Sequence, residues 1–87
     1  MKQSSAPAIG EAIRRLREER GLSQSELAKR SRLTQATISR IESGSRRGDI
    51  ETLAVLAAGL GLALWILVKK AEGIRLIIDV AASRSFG

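Results

Sequence analysis

The 87-residue chain contains no cysteine and no histidine. Lack of cysteine excludes a disulfide framework and a thiolate metal site. Lack of histidine removes the usual neutral-pH proton shuttle and the commonest metal ligand. No glycine-rich phosphate loop is present, and the nine carboxylates are mostly interleaved with Arg and Lys, as on solvated helix faces. None of them is framed by an apolar pocket sequence that would raise its pKa for acid–base work. The expectation is a protein that is not an enzyme, with no metal and no cofactor. The opening MKQSSAPAIG has no apolar core of the signal-peptide kind, so a cytoplasmic location is expected.

What the chain does have is positive charge. Fifteen Lys and Arg stand against nine Asp and Glu, a net charge of +6 and a pI near 11.1. An excess of this kind suggests a polyanionic partner, either nucleic acid or an anionic membrane face. The length suits one small domain with a marginal core, which a second copy would complete.

Helical spacing organises the first two thirds. Pro7 suits a first helical turn, and Ile9, Ile13 and Leu16 form one stripe among Arg14, Arg15, Arg17, Glu18 and Arg20, with Gly21 as terminator. Ser23 followed by Glu26 is a capping box that opens a short helix. Thr34 caps a third helix, QATISRIES, closed by Gly44. Asp49 caps a fourth, bearing Ile50, Leu53, Leu56, Ala57 and Leu60 and ending around Gly59 and Gly61.

The segment LAVLAAGLGLALWILVKK, residues 53–70, carries no charge before its last two positions. As one helix, residues 53–68 would reach about 24 Å, short of the roughly 30 Å hydrocarbon core. Two glycines interrupt it, so no membrane span is expected. The reading is instead a helix followed by a C-terminal β-strand over 62–68, or by a hairpin in which a turn at KKAEG leads to a second strand in IRLIIDVA. The sequence leaves the second strand open.

A short helix, a tight turn and a second capped helix make the helix-turn-helix plan. On the third helix, Thr34, Ile38 and Ile41 share the side that meets the core. Ala36, Ser39, Arg40 and Ser43 point away, with Gln35 and Thr37 on the flanks. Small residues let a helix sit deep in a major groove, Gln pairs with adenine, and Arg pairs with guanine. The alternative is an ordinary exposed helix, though such a face usually carries Glu and Lys.

LSQSELAKRSRLTQATISRIESG closely resembles the phage-repressor-like (Xre/Cro) helix-turn-helix family, and DIETLAVLAAGLGL resembles the helix that follows there. The resemblance implies a mainly α, lambda-repressor-like bundle of four to five helices. It implies that Gln24 touches phosphate, that Ala28 packs on the recognition helix, and that Gln35, Ala36, Ser39 and Arg40 face base edges. It also makes Arg17 and Glu42 a structural ion pair. One departure is Arg32, which stands where the family usually has glycine in the turn. If Arg32 adopts positive φ, the strain is about 1 kcal/mol.

A strand after the fourth helix would resemble the HipB-type antitoxin branch, whose post-helical strands pair across a homodimer and whose partner is a HipA-type serine/threonine kinase toxin. The alternatives are a stand-alone dimeric regulator and a membrane-associated basic protein. The expected organisation is a disordered lead over 1–6, a DNA-binding domain over 7–61, a β dimerisation element over 62–81 and a flexible tail over 82–87. The candidate base contacts are Gln35, Ala36, Thr37, Ser39 and Arg40. Candidate phosphate contacts are Ser23, Gln24, Thr34, Ser43, Arg46 and Arg47. The expected dimer interface is Leu62, Leu64, Trp65, Ile66, Leu67 and Val68. The expected partners are double-stranded DNA with a palindromic operator, a second copy of the chain, and a HipA-type kinase.

Overall fold

The computed structural model describes residues 6–84, which form five helices: α1 (Ala6–Glu19), α2 (Gln24–Ser31), α3 (Gln35–Ser43), α4 (Ile50–Gly59) and α5 (Leu64–Arg84). Residues 1–5 of the lead expected over 1–6, and Phe86 in the expected tail, lie outside the described residues, while Ala6 already belongs to α1.

Local chemistry sets where each helix starts and stops. Gly21, at φ +66°, ends α1, and the Leu22 N–H donates back to the Arg17 carbonyl at 3.1 Å. At α2 the Ser23 hydroxyl accepts from the Glu26 N–H at 3.0 Å, while the Ser23 N–H donates to Glu26 Oε1 at 2.9 Å. This reciprocal pair satisfies two otherwise orphan amides. Thr34 Oγ1 accepts from the Thr37 N–H at 3.1 Å to open α3, and Asp49 Oδ1 accepts from the Thr52 N–H at 2.7 Å to open α4.

The core is aliphatic. Ile13, Leu27, Ile38, Ile41, Leu56 and Leu67 are its largest fully buried side chains, and each contributes about 1.5–3 kcal/mol by leaving water. α1 lies against α3 and α5, and α2 against α3 and α4. The α1–α3 contact is close because of Gly10. A Cβ there would collide with the Ile41 carbonyl oxygen and crowd that of Glu42.

The C-terminal third differs from the sequence expectation. No strand exists among the described residues: residues 64–68 of the first expected strand and all of the second belong to the single 21-residue helix α5. The KKAEG turn is helical as well. Lys, Ala and Glu are good helix formers, and the lone Gly73 costs only about 1 kcal/mol in a helix interior. Packing outweighs that cost: Leu67, Ala71 and Ile74 fall at i, i+4 and i+7 and bury themselves against the bundle. Residues 82–84 of the expected flexible tail are helical, since α5 runs to Arg84.

The expected dimer-interface residues scatter accordingly. Leu67 is 1% exposed in the chain's own core, and Leu62 and Leu64 pack partly against that core. Trp65, Ile66 and Val68 remain exposed. No single helix among the described residues is long and apolar enough to cross a membrane. α4 and residues 64–81 pass that test only together, and they are bent by 100°.

Candidate nucleic-acid interface

α2, the turn at Arg32 and Leu33, and α3 form the corner that carries the candidate contacts. The turn closes by backbone hydrogen bonds, with the Leu33 N–H donating to the Ala28 carbonyl at 3.0 Å. Arg32 sits at φ 57°, ψ 37°, alone among the described non-glycine residues in having positive φ. The arginine therefore adopts the left-handed geometry that glycine adopts without strain, and the motif's turn is retained.

α3 is pinned from beneath by Ile38 and Ile41, and Ala28 of α2 is buried with them. Its orientation is fixed further by Glu42. The Arg17 guanidinium donates from Nε to Glu42 Oε2 at 2.7 Å and from Nη2 to Oε1 at 3.1 Å. Gln24 Nε2 adds a third donor to Oε1 at 3.1 Å. Hydrogen bonding to Glu42 raises the Arg17 pKa from its ordinary value, against the opposing effect of burial. Glu42 is the sole acid in α3, and this arrangement removes it from the outer face.

What α3 leaves outside is free of negative charge. Gln35, Ala36, Ser39, Arg40 and Ser43 are exposed, while Thr37 is half-buried. Thr37 Oγ1 accepts from Thr34 Oγ1 at 2.9 Å and from Arg46 Nη1 at 3.4 Å. Ser43 Oγ donates to the Arg40 carbonyl at 3.0 Å, and Ser45 Oγ joins it at 3.2 Å, so Ser43 serves the helix end first. Arg46 and Arg47 stand exposed on the loop that follows. The cluster thus brings Gln24, Gln35, Arg40 and Arg46 to one region, with Ser23 and Thr34 acting as helix caps. One residue that the sequence reading did not single out, Ser25, reaches Gln35 at 3.1 Å. Nothing in the local pattern of α2 distinguishes it from an ordinary exposed serine. The described residues include no group of His, Asp or Glu side chains placed to hold a metal ion.

Residues 13–64 match the family model HTH_3, described as helix-turn-helix. An uncharacterised HTH-type transcriptional regulator of Sinorhizobium fredii is 38% identical over 78 residues, which cover 88% of this chain and 40% of that protein. The chain therefore spans less than half of that curated relative. Among solved structures, the clp gene regulator ClgR from Corynebacterium glutamicum superposes with a TM-score of 0.91 at 25% identity, covering 98% of this chain and 90% of that one. The restriction-modification controller protein C.AhdI from Aeromonas hydrophila is 31% identical, with a TM-score of 0.70 over 71% of this chain and 94% of that one.

Proposed function

The chain belongs to the helix-turn-helix family matched by residues 13–64, and from that premise we propose that it is a DNA-binding transcriptional regulator that reads its operator as a homodimer. The observation that carries this reading is the outer face of α3. It is small, polar and basic, its one carboxylate is turned into the scaffold, and Arg46 stands beside it. Such a face enters a major groove without meeting phosphate repulsion. Gln35, Ala36, Ser39 and Arg40 are assigned to base edges, with Thr37 supporting the entry turn. Gln24, Arg46, Arg47 and the cap hydroxyls of Ser23 and Thr34 are assigned to phosphates, with Ser43 at the far end of the helix.

The dimer reading rests on α5. Besides its buried stripe, the helix carries a second apolar stripe of Trp65, Ile66, Leu76, Ile77 and Val80, of which Trp65, Leu76 and Ile77 are each 65% exposed. Gly73 lies midway along that stripe. Large apolar side chains exposed along one side of a helix in so small a domain favour a partner, and a second copy supplies one that also gives a palindromic operator. Half-sites are then about one helical turn, 34–36 Å, apart. The antitoxin reading, with a HipA-type kinase partner, depended on strands that α5 replaces. The stand-alone regulator is therefore the reading kept.

The test uses duplexes selected by the protein from a randomised pool. Gln35→Ala or Arg40→Ala is expected to lose about 1–3 kcal/mol on the selected duplex and little on unselected DNA. Arg46→Ala is expected to weaken both equally and to lower the salt slope by about one. Equal losses on both duplexes for Gln35 and Arg40 would move those residues to the phosphate set.

A further inference from the structure

A groove of about 450 Å3 opens between α1 and α5, within the range of small-molecule pockets, about 300–1,000 Å3. Its apolar part is Ile66, Gly73, Ile74 and Ile77, of which Ile74 is buried and the others are exposed. Its charged part is Arg15, Lys69 and Lys70, and among the described residues no acid lines it. Gly73 keeps the groove open. A Cβ there would meet nothing within 4 Å, so no close packing within the chain asks for glycine, although glycine weakens a helix interior. The cations are only partly answered. Arg15 Nε donates to Glu11 Oε2 at 2.9 Å, and Lys70 Nζ lies 3.8 Å from a Glu19 carboxylate oxygen. Lys69 has no ion pair among the described residues.

An occupant has to satisfy both halves of this surface. A phosphate diester answers the cations and leaves the isoleucines in water. A second copy answers the isoleucines but has little for the cations, since the acids of α5 are Glu72, tied to Arg75 at 3.3 Å, and Asp79. A methylene chain ending in a carboxylate answers both: its carbons leave water against the isoleucines, and its oxygens accept charge-assisted hydrogen bonds from the cations. We propose that the groove binds a free long-chain carboxylate, which competes with the second copy because Ile66 and Ile77 also belong to the stripe assigned to the dimer. Occupancy thus unlocks the dimer and lowers operator affinity. The competition rests on the dimer reading, whereas the site itself does not.

The test is calorimetric titration of the full chain with decanoate below its micellar concentration. Decyltrimethylammonium, with the same chain length and the opposite charge, is titrated beside it. Decanoate is expected to saturate at one per chain, and the cation not to bind. Lys69→Glu is expected to weaken decanoate by about 5- to 20-fold, through one exposed ion pair lost and one repulsion gained. Gly73→Leu is expected to abolish saturation by filling the groove, where the added side chain has room. Both positions are exposed, so both variants should keep the helical circular-dichroism spectrum. Sedimentation at saturating decanoate is expected to show monomers, and operator affinity to fall by about 10- to 100-fold as the second half-site is lost. The site is overturned if decanoate does not saturate, if the cation binds equally well, or if either variant binds decanoate like the wild type. A chain that stays dimeric at saturation overturns the competition. A chain that is monomeric without any ligand sinks the dimer reading instead, while saturable, charge-dependent binding would still establish the groove.

Discussion

Arg17 and Glu42, 25 residues apart, are joined by two parallel hydrogen bonds between α1 and the end of α3. Their side chains are only 12% and 4% exposed, so the pair is shielded from water and salt. It does two things: it sets the roll of α3 over α1, and it takes the carboxylate of α3 away from the face offered to phosphate. Glu42→Ala leaves a largely buried guanidinium with the Leu22 carbonyl but without its carboxylate, and is expected to destabilise the fold by about 2–4 kcal/mol in urea denaturation. A change within about 0.5 kcal/mol, as at ordinary surface positions, would assign the orientation of α3 to its apolar contacts alone.

Arg32 carries a left-handed backbone that glycine adopts without a Cβ clash. Arg32→Gly is therefore expected to be stabilising by about 0.5–1 kcal/mol, the relieved strain outweighing the extra freedom of the unfolded chain. The check is a higher urea midpoint at unchanged slope. A lower midpoint would mean that the arginine side chain contributes more than its backbone costs.

Leu67 and Leu76 separate folding from assembly, since they lie on different faces of α5. Leu67 is 1% exposed and Leu76 is 65% exposed. Leu67→Asp places an unpaired charge in the core and is expected to abolish the helical circular-dichroism signal. Leu76→Asp is expected to keep that signal but to sediment as a monomer with collapsed operator affinity, since the charge is buried only between chains. A dimeric Leu76→Asp protein would place the interface elsewhere.

Three carboxyls, two of them exposed and Glu11 partly buried, link stability to acid. Glu26 is held below its ordinary pKa by the Ser23 backbone N–H and then the Ser23 hydroxyl. Asp49 is held down by Thr52, and Glu11 chiefly by Arg14. A pKa lowered by folding means that the folded state binds protons less readily than the unfolded chain. Its contribution is thus complete above the ordinary carboxyl range, about pH 4, and is lost as pH falls through the lowered values. Melting temperature is expected to be flat from pH 7 to 5 and to drop towards pH 3. Asp49→Asn keeps an N-cap but removes one titrating group, so its acid slope should be shallower. An identical slope would exclude Asp49 from the linkage.

The helix-turn-helix half of the molecule was legible in the residues because its signals are local. Ser23 with Glu26, Thr34 and Asp49 make capping hydrogen bonds within three residues of themselves, and Gly21 and Gly44 take positive φ where a helix must end. The inward spacing of Ile38 and Ile41 leaves Gln35, Ser39 and Arg40 outside, whatever the rest of the chain does. These features depend on bonds and periodicities that no distant contact has to supply.

Other features depended on what the chain meets in space. The link from Ser25 to Gln35 exists because the turn at Arg32 brings two helix starts together, and no sequence interval marks it. The nature of α5 was decided the same way. Its apolar residues form two stripes, Leu67, Ala71 and Ile74 on one side and Trp65, Ile66, Leu76, Ile77 and Val80 on the other. Along the chain they read as two apolar stretches parted by KKAEG, in which the helical period is hidden and Gly73 looks like a break. Hydrophobic composition alone therefore determined that residues 62–81 must be covered. Only docking against α1 and α4, which buries the Leu67 stripe at helical spacing, decided that they are a helix and which side of it stays exposed.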